Sequence, residues 1–339
     1  MAGVTGIHHV TAIASDPQRN LDFYAGVLGL RLVKRTVNFD DPQTYHFYFG
    51  DEVGSPGSIL TFFPWPGAPA GRPGPGQVAV TSFAIPPAAL GFWIERLLRH
   101  QVRYQGPSRR GNGPDAERVI AFRDPDGLML ELVAHARAAD RPAWAGAPGI
   151  PPEHAIHGLH GVTLWVAAGE ATDRVLTDTL GFRPVSESGS TRRFAVADGV
   201  PRGFVDVRTI GDFARALRGA GTVHHVAFAV GDDASELAVR ERVLETGLHA
   251  TPVIDRSYFR SVYFREPGGV LYELATNQPG FTLDEPLDRL GSSLMLPPHL
   301  EAQRAELEAV LPPIYLPGAA PGPPFTNLTG TGAPDPQAD

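Results

Sequence analysis

Apolar residues recur along this chain in short alternating runs, and the first run is followed by a segment with helical spacing. GIHHVTAI (6–13) alternates as a β-strand does, and the segment after it predicts a helix. Ser15 or Asp16 is a suitable N-cap for this helix, and Pro17 suits its first turn. Gly29 fits a left-handed helix end. The apolar face of the helix consists of Leu21, Phe23, Tyr24 and Leu28. Three strands are predicted next, at 31–38, 44–50 and 57–63.

The same order of elements is predicted four times, because distant segments of the chain match one another. Gly6 and Gly29 match Gly158 and Gly181 at a constant offset of 152 residues. GQVAVTSFAI (76–85) matches GTVHHVAFAV (221–230) at an offset of 145, and DPDGLMLELV (124–133) matches EPGGVLYELA (266–275) at an offset of 142. These matches predict four βαβββ modules, at 1–65, 76–135, 157–209 and 221–276, and then a C-terminal helix and tail at 281–339.

The last module and the segment after it can be divided further. In module four, a strand at 222–230 and a helix at 232–246, ending at Gly247, precede strands near 249–254, 258–265 and 269–276. Beyond the module, apolar spacing near 298–311 predicts the C-terminal helix. Residues from about 318 on are rich in Pro, Gly and Thr, so we expect a loosely held tail there.

Two histidine pairs and one glutamate lie in predicted strands of the outer modules. His8 and His9 belong to the first strand of module one, and His224 and His225 to the first strand of module four. Glu273 lies in the last strand of module four. Two imidazoles and one carboxylate that point from three strands into one cavity are a ligand set for a single metal ion with open coordination positions.

Strand alternation indicates which histidine of each pair points into this cavity. His225 shares its face with the small residues Ala227 and Ala229, which leave room for a ligand. The face of His224 carries the bulky residues Val226, Phe228 and Val230. By the repeat register, His9 takes the place of His225 in module one. We therefore predict one cup, built from modules one and four, with His9, His225 and Glu273 as metal ligands.

The two inner modules lack this combination. Gly161 and Val80 stand at the positions equivalent to His9 and His225, whereas Glu131 stands at the position of Glu273. A carboxylate without imidazoles holds a transition metal poorly. We therefore expect a structural role for the second cup, with Glu131 paired to an arginine.

Composition narrows the class of protein. The chain has 339 residues, a formal net charge of −8 and no cysteine. Thiolate ligands, disulfides and a cysteine nucleophile are thus excluded, and a metal must be held by nitrogen and oxygen. The negative charge argues against nucleic acid as a partner. With no signal peptide and no apolar span of membrane length predicted, we expect a cytoplasmic protein without membrane contact. The oligomeric state, including a homo-oligomer, stays open.

Four βαβββ modules in a row resemble the vicinal oxygen chelate superfamily, which includes glyoxalase I, extradiol dioxygenases and fosfomycin-resistance proteins. This resemblance covers almost the whole chain. It implies an α+β fold in which the modules pair into two pseudo-symmetric open-barrel cups around a metal. The chain is most similar to the hydroquinone and chlorohydroquinone ring-cleaving dioxygenases, which draw their ligands from the first and last modules. The implied cofactor is Fe(II), with Mn(II) or Zn(II) as ions that a purified sample could hold, and the implied partners are a small aromatic diol and O2.

The same resemblance implies roles for residues near the three ligands. Tyr263 would donate a hydrogen bond to a bound oxygen, and Thr11 would orient the distal substrate hydroxyl. Arg256 would stabilise the substrate phenolate, with Arg260 as a rival for this role. His8 and His224 precede the two histidine ligands. They point away from the metal on strict alternation, and are either proton carriers, if the strands bulge there, or packed core histidines.

Other functions stay open at this point. A catechol-cleaving extradiol dioxygenase would use the same type of triad. A second class is a glyoxalase-like isomerase or a thiol transferase that uses Zn, Ni or Mn. The isomerase would use a further carboxylate at the position of Thr61, which a threonine cannot replace. A binding protein without catalysis is the third class. The full triad and its polar neighbours favour the hydroquinone-type dioxygenase.

Overall fold

Two curled sheets of eight strands each form the body of the protein. The computed structural model describes residues 3–111, 116–196, 203–212 and 215–316. Each sheet combines two of the predicted modules, and few helices accompany them. This arrangement confirms the expected α+β class with two open cups.

The first sheet is built from the first and the last module. Its strand order is β14-β15-β16-β13-β1-β4-β3-β2. The antiparallel pair of β1 and β13 joins the two halves. The strands are β1 (Gly6–Ala14), β2 (Arg31–Asn38), β3 (Asp41–Gly50), β4 (Ile59–Pro64), β13 (Thr222–Val230), β14 (Ile254–Asp255), β15 (Arg260–Arg265) and β16 (Leu271–Thr276).

The second sheet repeats this plan with the two inner modules. Its order is β10-β11-β12-β9-β5-β8-β7-β6, and the antiparallel pair of β5 and β9 takes the place of β1 and β13. The strands are β5 (Gln77–Ile85), β6 (Tyr104–Arg110), β7 (Glu117–Arg123), β8 (Met129–Ala134), β9 (Leu159–Val166), β10 (Arg183–Ser188), β11 (Thr191–Ala195) and β12 (Phe204–Thr209).

One helix follows the first strand of every module. In modules one and three the α-helical turns continue as a π-helix, over Asp22–Val27 and Val175–Thr179. The helices are α1 (Pro17–Leu21), α2 (Leu90–Arg99), α3 (Glu170–Arg174) and α4 (Asp233–Glu245), with α5 (Arg304–Val310) near the C-terminus. No helix within the described residues has the length and apolar character needed to cross a bilayer.

The ends of the first helix agree with the sequence. Asp16, not Ser15, is the N-cap, and its carboxylate accepts a hydrogen bond from the backbone N–H of Arg19. Gly29 has φ +68°, and a Cβ there would lie 2.3 Å from the Cδ1 of Ile150, so the left-handed turn also needs glycine for space.

Two predicted elements differ from the structure. The strand predicted near 249–254 is reduced to Ile254–Asp255, at the edge of the sheet. The helix predicted near 298–311 is a 3₁₀-helix over Pro298–Gln303 that continues as α5. Helix ends without strong caps often tighten in this way. The tail predicted from about 318 on lies outside the described residues.

Candidate metal centre

Three neighbouring strands bring His9, His225 and Glu273 together. Thr11 of β1 lies opposite His225 of β13, and Ala227 of β13 lies beside Glu273 of β16. The Nε2 atoms of the two histidines are 3.2 Å apart. Glu273 Oε2 lies 2.8 Å from His225 Nε2 and 3.3 Å from His9 Nε2. The three residues thus offer one ligand atom each, all within 4.8 Å of one another.

The carboxylate of Glu273 is fully buried and is supported from one side only. Ser261 Oγ donates to Oε1 at 2.5 Å, whereas Oε2, which faces the imidazoles, makes no aligned hydrogen bond. Burial by itself would raise the pKa of Glu273, but the adjacent His9 and His225 hold this pKa well below its usual range. A buried anion with one unsatisfied oxygen is a strong ligand for a cation.

The remaining ring nitrogens of the two histidines also have partners. His8 Nδ1 lies 2.9 Å from His9 Nδ1, and His224 Nδ1 lies 2.8 Å from His225 Nδ1. Burial, and then the neighbouring His9 or His225, lowers the pKa of both His8 and His224 to about 3, so each is neutral at neutral pH. Each contact therefore holds one proton, and the Nε2 of His9 and His225 is left to bind a metal.

Strict alternation along β1 and β13 would place His8 and His224 on the face that points away from the triad. The pairing of β1 with β13 shifts register twice. On β1 the first shift leaves His8 without a partner, between Ile7 and His9, and on β13 the second leaves His224 without a partner, where His225 pairs with Thr11. A β-bulge turns consecutive side chains toward the same side. Both histidines consequently contact the inner pair, and their role as proton carriers or as packed core residues stays a prediction.

The donor set fits a divalent transition metal. Two imidazoles and one carboxylate, each with a hydrogen-bond partner behind it, match the triad of non-haem iron sites. The residues at the equivalent positions of the second cup are Val80, Gly161 and Glu131.

Arg256 and Tyr263 lie beside the triad. Tyr263 is paired with Glu273 across β15 and β16, and its ring centroid is 5.6 Å from that of His225. The guanidinium carbon of Arg256 lies 5.4 Å from the Tyr263 ring centroid, and Nη2 contacts Asp40 at 3.1 Å. Burial, and then the charge of Glu273, raises the pKa of Tyr263, so the phenol keeps its proton.

Arg260 lies elsewhere. Its guanidinium forms an ion pair with Asp233 of α4, and both side chains are exposed. The helix side of the sheet therefore holds Arg260, and Arg256 is the arginine that faces the cup.

Thr11 is fully buried and forms part of a chain of polar side chains that the sequence analysis missed. Thr11 Oγ1 lies 2.8 Å from Thr61 Oγ1, and Thr61 Oγ1 lies 2.9 Å from His46 Nε2. His46 Nδ1 lies 2.9 Å from the hydroxyl of Tyr48. The signal available in the sequence was alternation along β3, which puts His46 and Tyr48 on one face, with Tyr48 opposite Thr61.

Aromatic rings line the rest of the first cup. Phe259 contacts His8 and His9 at centroid distances of 5.0 and 5.2 Å. Phe63 lies 4.4 Å from His46 and 5.8 Å from His224, measured between centroids. These rings make the surroundings of the triad apolar, which strengthens the electrostatic interactions inside it.

The second cup contains a network of ion pairs. Arg110 contacts both Glu117 and Glu131, at 2.6 and 2.9 Å, which confirms the expected pairing of Glu131 with an arginine. Arg193 holds Asp206 with two bonds of 2.7 and 2.8 Å and also contacts Glu117. Each carboxylate named here is thus paired with at least one guanidinium group.

Comparisons with known proteins agree with the fold and the site. Residues 6–132 match the family described as Glyoxalase/Bleomycin resistance protein/Dioxygenase superfamily. The chain is 44% identical over 308 residues to MhqO of Bacillus subtilis (strain 168), described as a candidate ring-cleaving dioxygenase, covering 91% of this chain and 96% of that protein. It is 33% identical over 312 residues to the chlorohydroquinone/hydroquinone 1,2-dioxygenase of Sphingobium indicum, covering 90% and 95%.

Solved structures extend this similarity. A crystal structure of a candidate dioxygenase from Bacillus subtilis superposes with a TM-score of 0.87 at 42% identity, covering 93% of this chain and 99% of that one. Glyoxalase I from Zea mays superposes with a TM-score of 0.60 at 17% identity, covering 84% and 96%, which supports the fold alone.

Proposed function

The chain belongs to the glyoxalase/bleomycin resistance protein/dioxygenase superfamily, and from this premise we propose that it is an Fe(II)-dependent dioxygenase that cleaves the ring of a hydroquinone-type dihydroxybenzene. The observation that carries the proposal is the buried triad of His9, His225 and Glu273, with an unsatisfied carboxylate oxygen between two imidazoles. The relatives named as ring-cleaving dioxygenases support the choice of reaction.

The residues around the triad suit a phenolic substrate. His9, His225 and Glu273 would hold Fe(II), which would supply Lewis-acid and redox chemistry for the reaction of a diol with dioxygen. Burial alone would lower the pKa of Arg256, but Tyr263 and Asp40 together raise this pKa above its usual value. The guanidinium therefore keeps its positive charge and can stabilise a phenolate. Tyr263 keeps its phenol proton and can donate it in a hydrogen bond to a bound oxygen.

The outer histidines fix the protonation of the inner pair. When Nε2 of His9 or His225 binds the metal, the shared proton lies on its Nδ1 and is donated to the Nδ1 of His8 or His224. In this proposal His8 and His224 hold the two ligands in the metal-binding tautomer, and the apolar rings of Phe63 and Phe259 exclude water. The role of His8 and His224 as proton carriers stays a prediction.

Thr61 argues against the isomerase alternative. It stands where an isomerase of this superfamily would carry a further carboxylate ligand, and its hydroxyl is engaged with Thr11 and His46. The cytoplasmic location stays a prediction, and the oligomeric state stays open.

The test is oxygen uptake by protein reconstituted anaerobically with Fe(II). We expect hydroquinone and methylhydroquinone to start oxygen consumption with formation of a ring-opened product. Glu273→Gln should abolish uptake and metal retention, whereas Glu131→Gln, at the equivalent position of the second cup, should leave both intact. Preference for catechol would indicate an extradiol enzyme. Turnover of a thiol adduct without oxygen uptake would indicate the isomerase or transferase, and binding without turnover a binding protein.

A further inference from the structure

A continuous row of four polar side chains crosses the first cup. It runs from Tyr48 through His46 and Thr61 to Thr11, with successive distances of 2.9, 2.9 and 2.8 Å. Tyr48, Thr61 and Thr11 are buried. The row adjoins the metal centre, because Thr11 lies opposite His225 on the neighbouring strand.

The direction of the hydrogen bonds in this row follows from its first member. Burial raises the pKa of Tyr48 well above its usual value, so its phenol keeps the proton. Among the described residues, His46 Nδ1 is the hydrogen-bond partner that the structure gives this hydroxyl, so Tyr48 donates to it. Burial, and then the charges of His9 and His225, lowers the pKa of His46, which is therefore neutral with one ring proton, on Nε2.

The same direction continues to the other end. Because His46 Nε2–H donates to Thr61 Oγ1, the hydroxyl proton of Thr61 is free to donate to Thr11 Oγ1. Thr11 then accepts one hydrogen bond and still has its own proton to donate. Thr11 lies on the face of His9, with no bulge between them, so its side chain lies on the cup side of the sheet.

We propose that His46 is a positioning residue that, through Thr61, makes the Thr11 hydroxyl a hydrogen-bond donor to the second oxygen of the substrate ring. The inference rests on the proposed function and adds a specificity to it. The substrate carries, at the ring position that faces Thr11, an oxygen that can accept a hydrogen bond. The row of side chains recognises an acceptor there, and a hydroxyl, a phenolate or an ether oxygen qualifies.

A matched pair of phenols tests this polarity. 4-Methoxyphenol and 4-ethylphenol have nearly the same shape, but only the first has an acceptor oxygen at the distal position. Their affinities for the Fe(II)-loaded protein can be measured by calorimetric titration without oxygen, so no turnover is needed. We expect the wild-type protein to bind 4-methoxyphenol about 2- to 13-fold more tightly, the value of one neutral hydrogen bond.

Substitutions in the row should change this preference without changing the metal ligands. His46→Leu removes the donor to Thr61, and the preference should fall to about 1-fold. His46→Gln keeps an N–H donor and an acceptor oxygen, so the preference should return. Thr61→Val removes the middle hydroxyl with little change in shape and should also abolish it. Tyr48→Phe frees the tautomer of His46, and the preference should decrease.

The outcomes separate this inference from the proposed function. Loss of affinity for both phenols by the same factor in His46→Leu, with the preference kept, would mean that His46 has a structural role only and would overturn the inference. Equal binding of the two phenols by the wild-type protein would also overturn the inference. If hydroquinone binds in the same titration, the proposed function is unaffected by that result. If hydroquinone itself does not bind, both fall together.

Discussion

Ser261 is the side chain whose removal tests the metal centre most directly. Its hydroxyl donates to Glu273 Oε1 at 2.5 Å, and neither residue is exposed to solvent. Ser261→Ala leaves this carboxylate oxygen buried without a donor. A hydrogen bond to a charged group contributes about 1.5–3 kcal/mol, which corresponds to roughly 10- to 160-fold in an equilibrium constant. Loss of a group that orients a metal ligand typically weakens metal binding by about 10- to 100-fold.

The second cup supplies the control for this prediction. Ser82 Oγ donates to Glu131 Oε2 at 2.8 Å, which is the same kind of bond to the equivalent carboxylate. We expect Ser261→Ala to weaken Fe(II) binding by about 10- to 100-fold, measured anaerobically by competition with a chelator. We expect Ser82→Ala to leave the Fe(II) affinity unchanged. The reasoning is refuted if both variants bind Fe(II) as the wild type does, or if both weaken it equally.

Three further predictions concern buried or substrate-facing charges. Lys34 is fully buried between the carboxylates of Asp284 and Glu285. In urea titrations Lys34→Met should therefore lower the free energy of unfolding by about 3–5 kcal/mol. Arg99→Met, which removes an exposed ion pair, should lower it by less than about 1 kcal/mol. Burial raises the pKa of Glu236 from 4.5 to about 7, and because the folded value is the higher one, stability should fall as pH rises from about 4.5 through about 7. Glu236→Gln should remove this loss and exceed the wild type in stability at pH 8; a variant that keeps the wild-type slope between pH 5 and pH 8 would contradict the assignment. Arg256→Met should lower kcat for hydroquinone by about 100-fold, and Arg260→Met should not, in oxygen-uptake assays; equal losses in the two would show that the arginines had been assigned to the wrong faces.

The fold could be predicted because the chain repeats itself. Constant offsets between Gly6 and Gly158, and between Gly29 and Gly181, reveal equivalent positions even where no single strand is certain. The strand predicted near 249–254 was overestimated, because continuous pairing with β15 covers only Ile254 and Asp255, while Ala250 forms an isolated bridge to Phe264. Propensity therefore indicated extended backbone but could not indicate how far a neighbour pairs with it.

The position of the three candidate ligands also followed from the repeats, whereas their supporting residues did not. The bulges at His8 and His224 arise from the register between strands that are more than two hundred residues apart, as in the pair Thr11 and His225. No glycine or proline marks either bulge in the sequence. His46 is a single histidine in an aromatic strand, and only the contact of β3 with β4 places it next to Thr61.

The two cups, compared with each other, give a physical reason to place the metal in the first. Both keep a glutamate at the same strand position, Glu131 in one and Glu273 in the other. Burying a carboxylate is costly unless a positive charge compensates it. In the second cup Arg110 supplies that charge to Glu131. Within the described residues, the ion-pair contacts of Glu273 are with the Nε2 atoms of His9 and His225, which can bind a metal only when they carry no proton. A divalent cation at the three converging atoms would balance the first cup as the guanidinium groups balance the second.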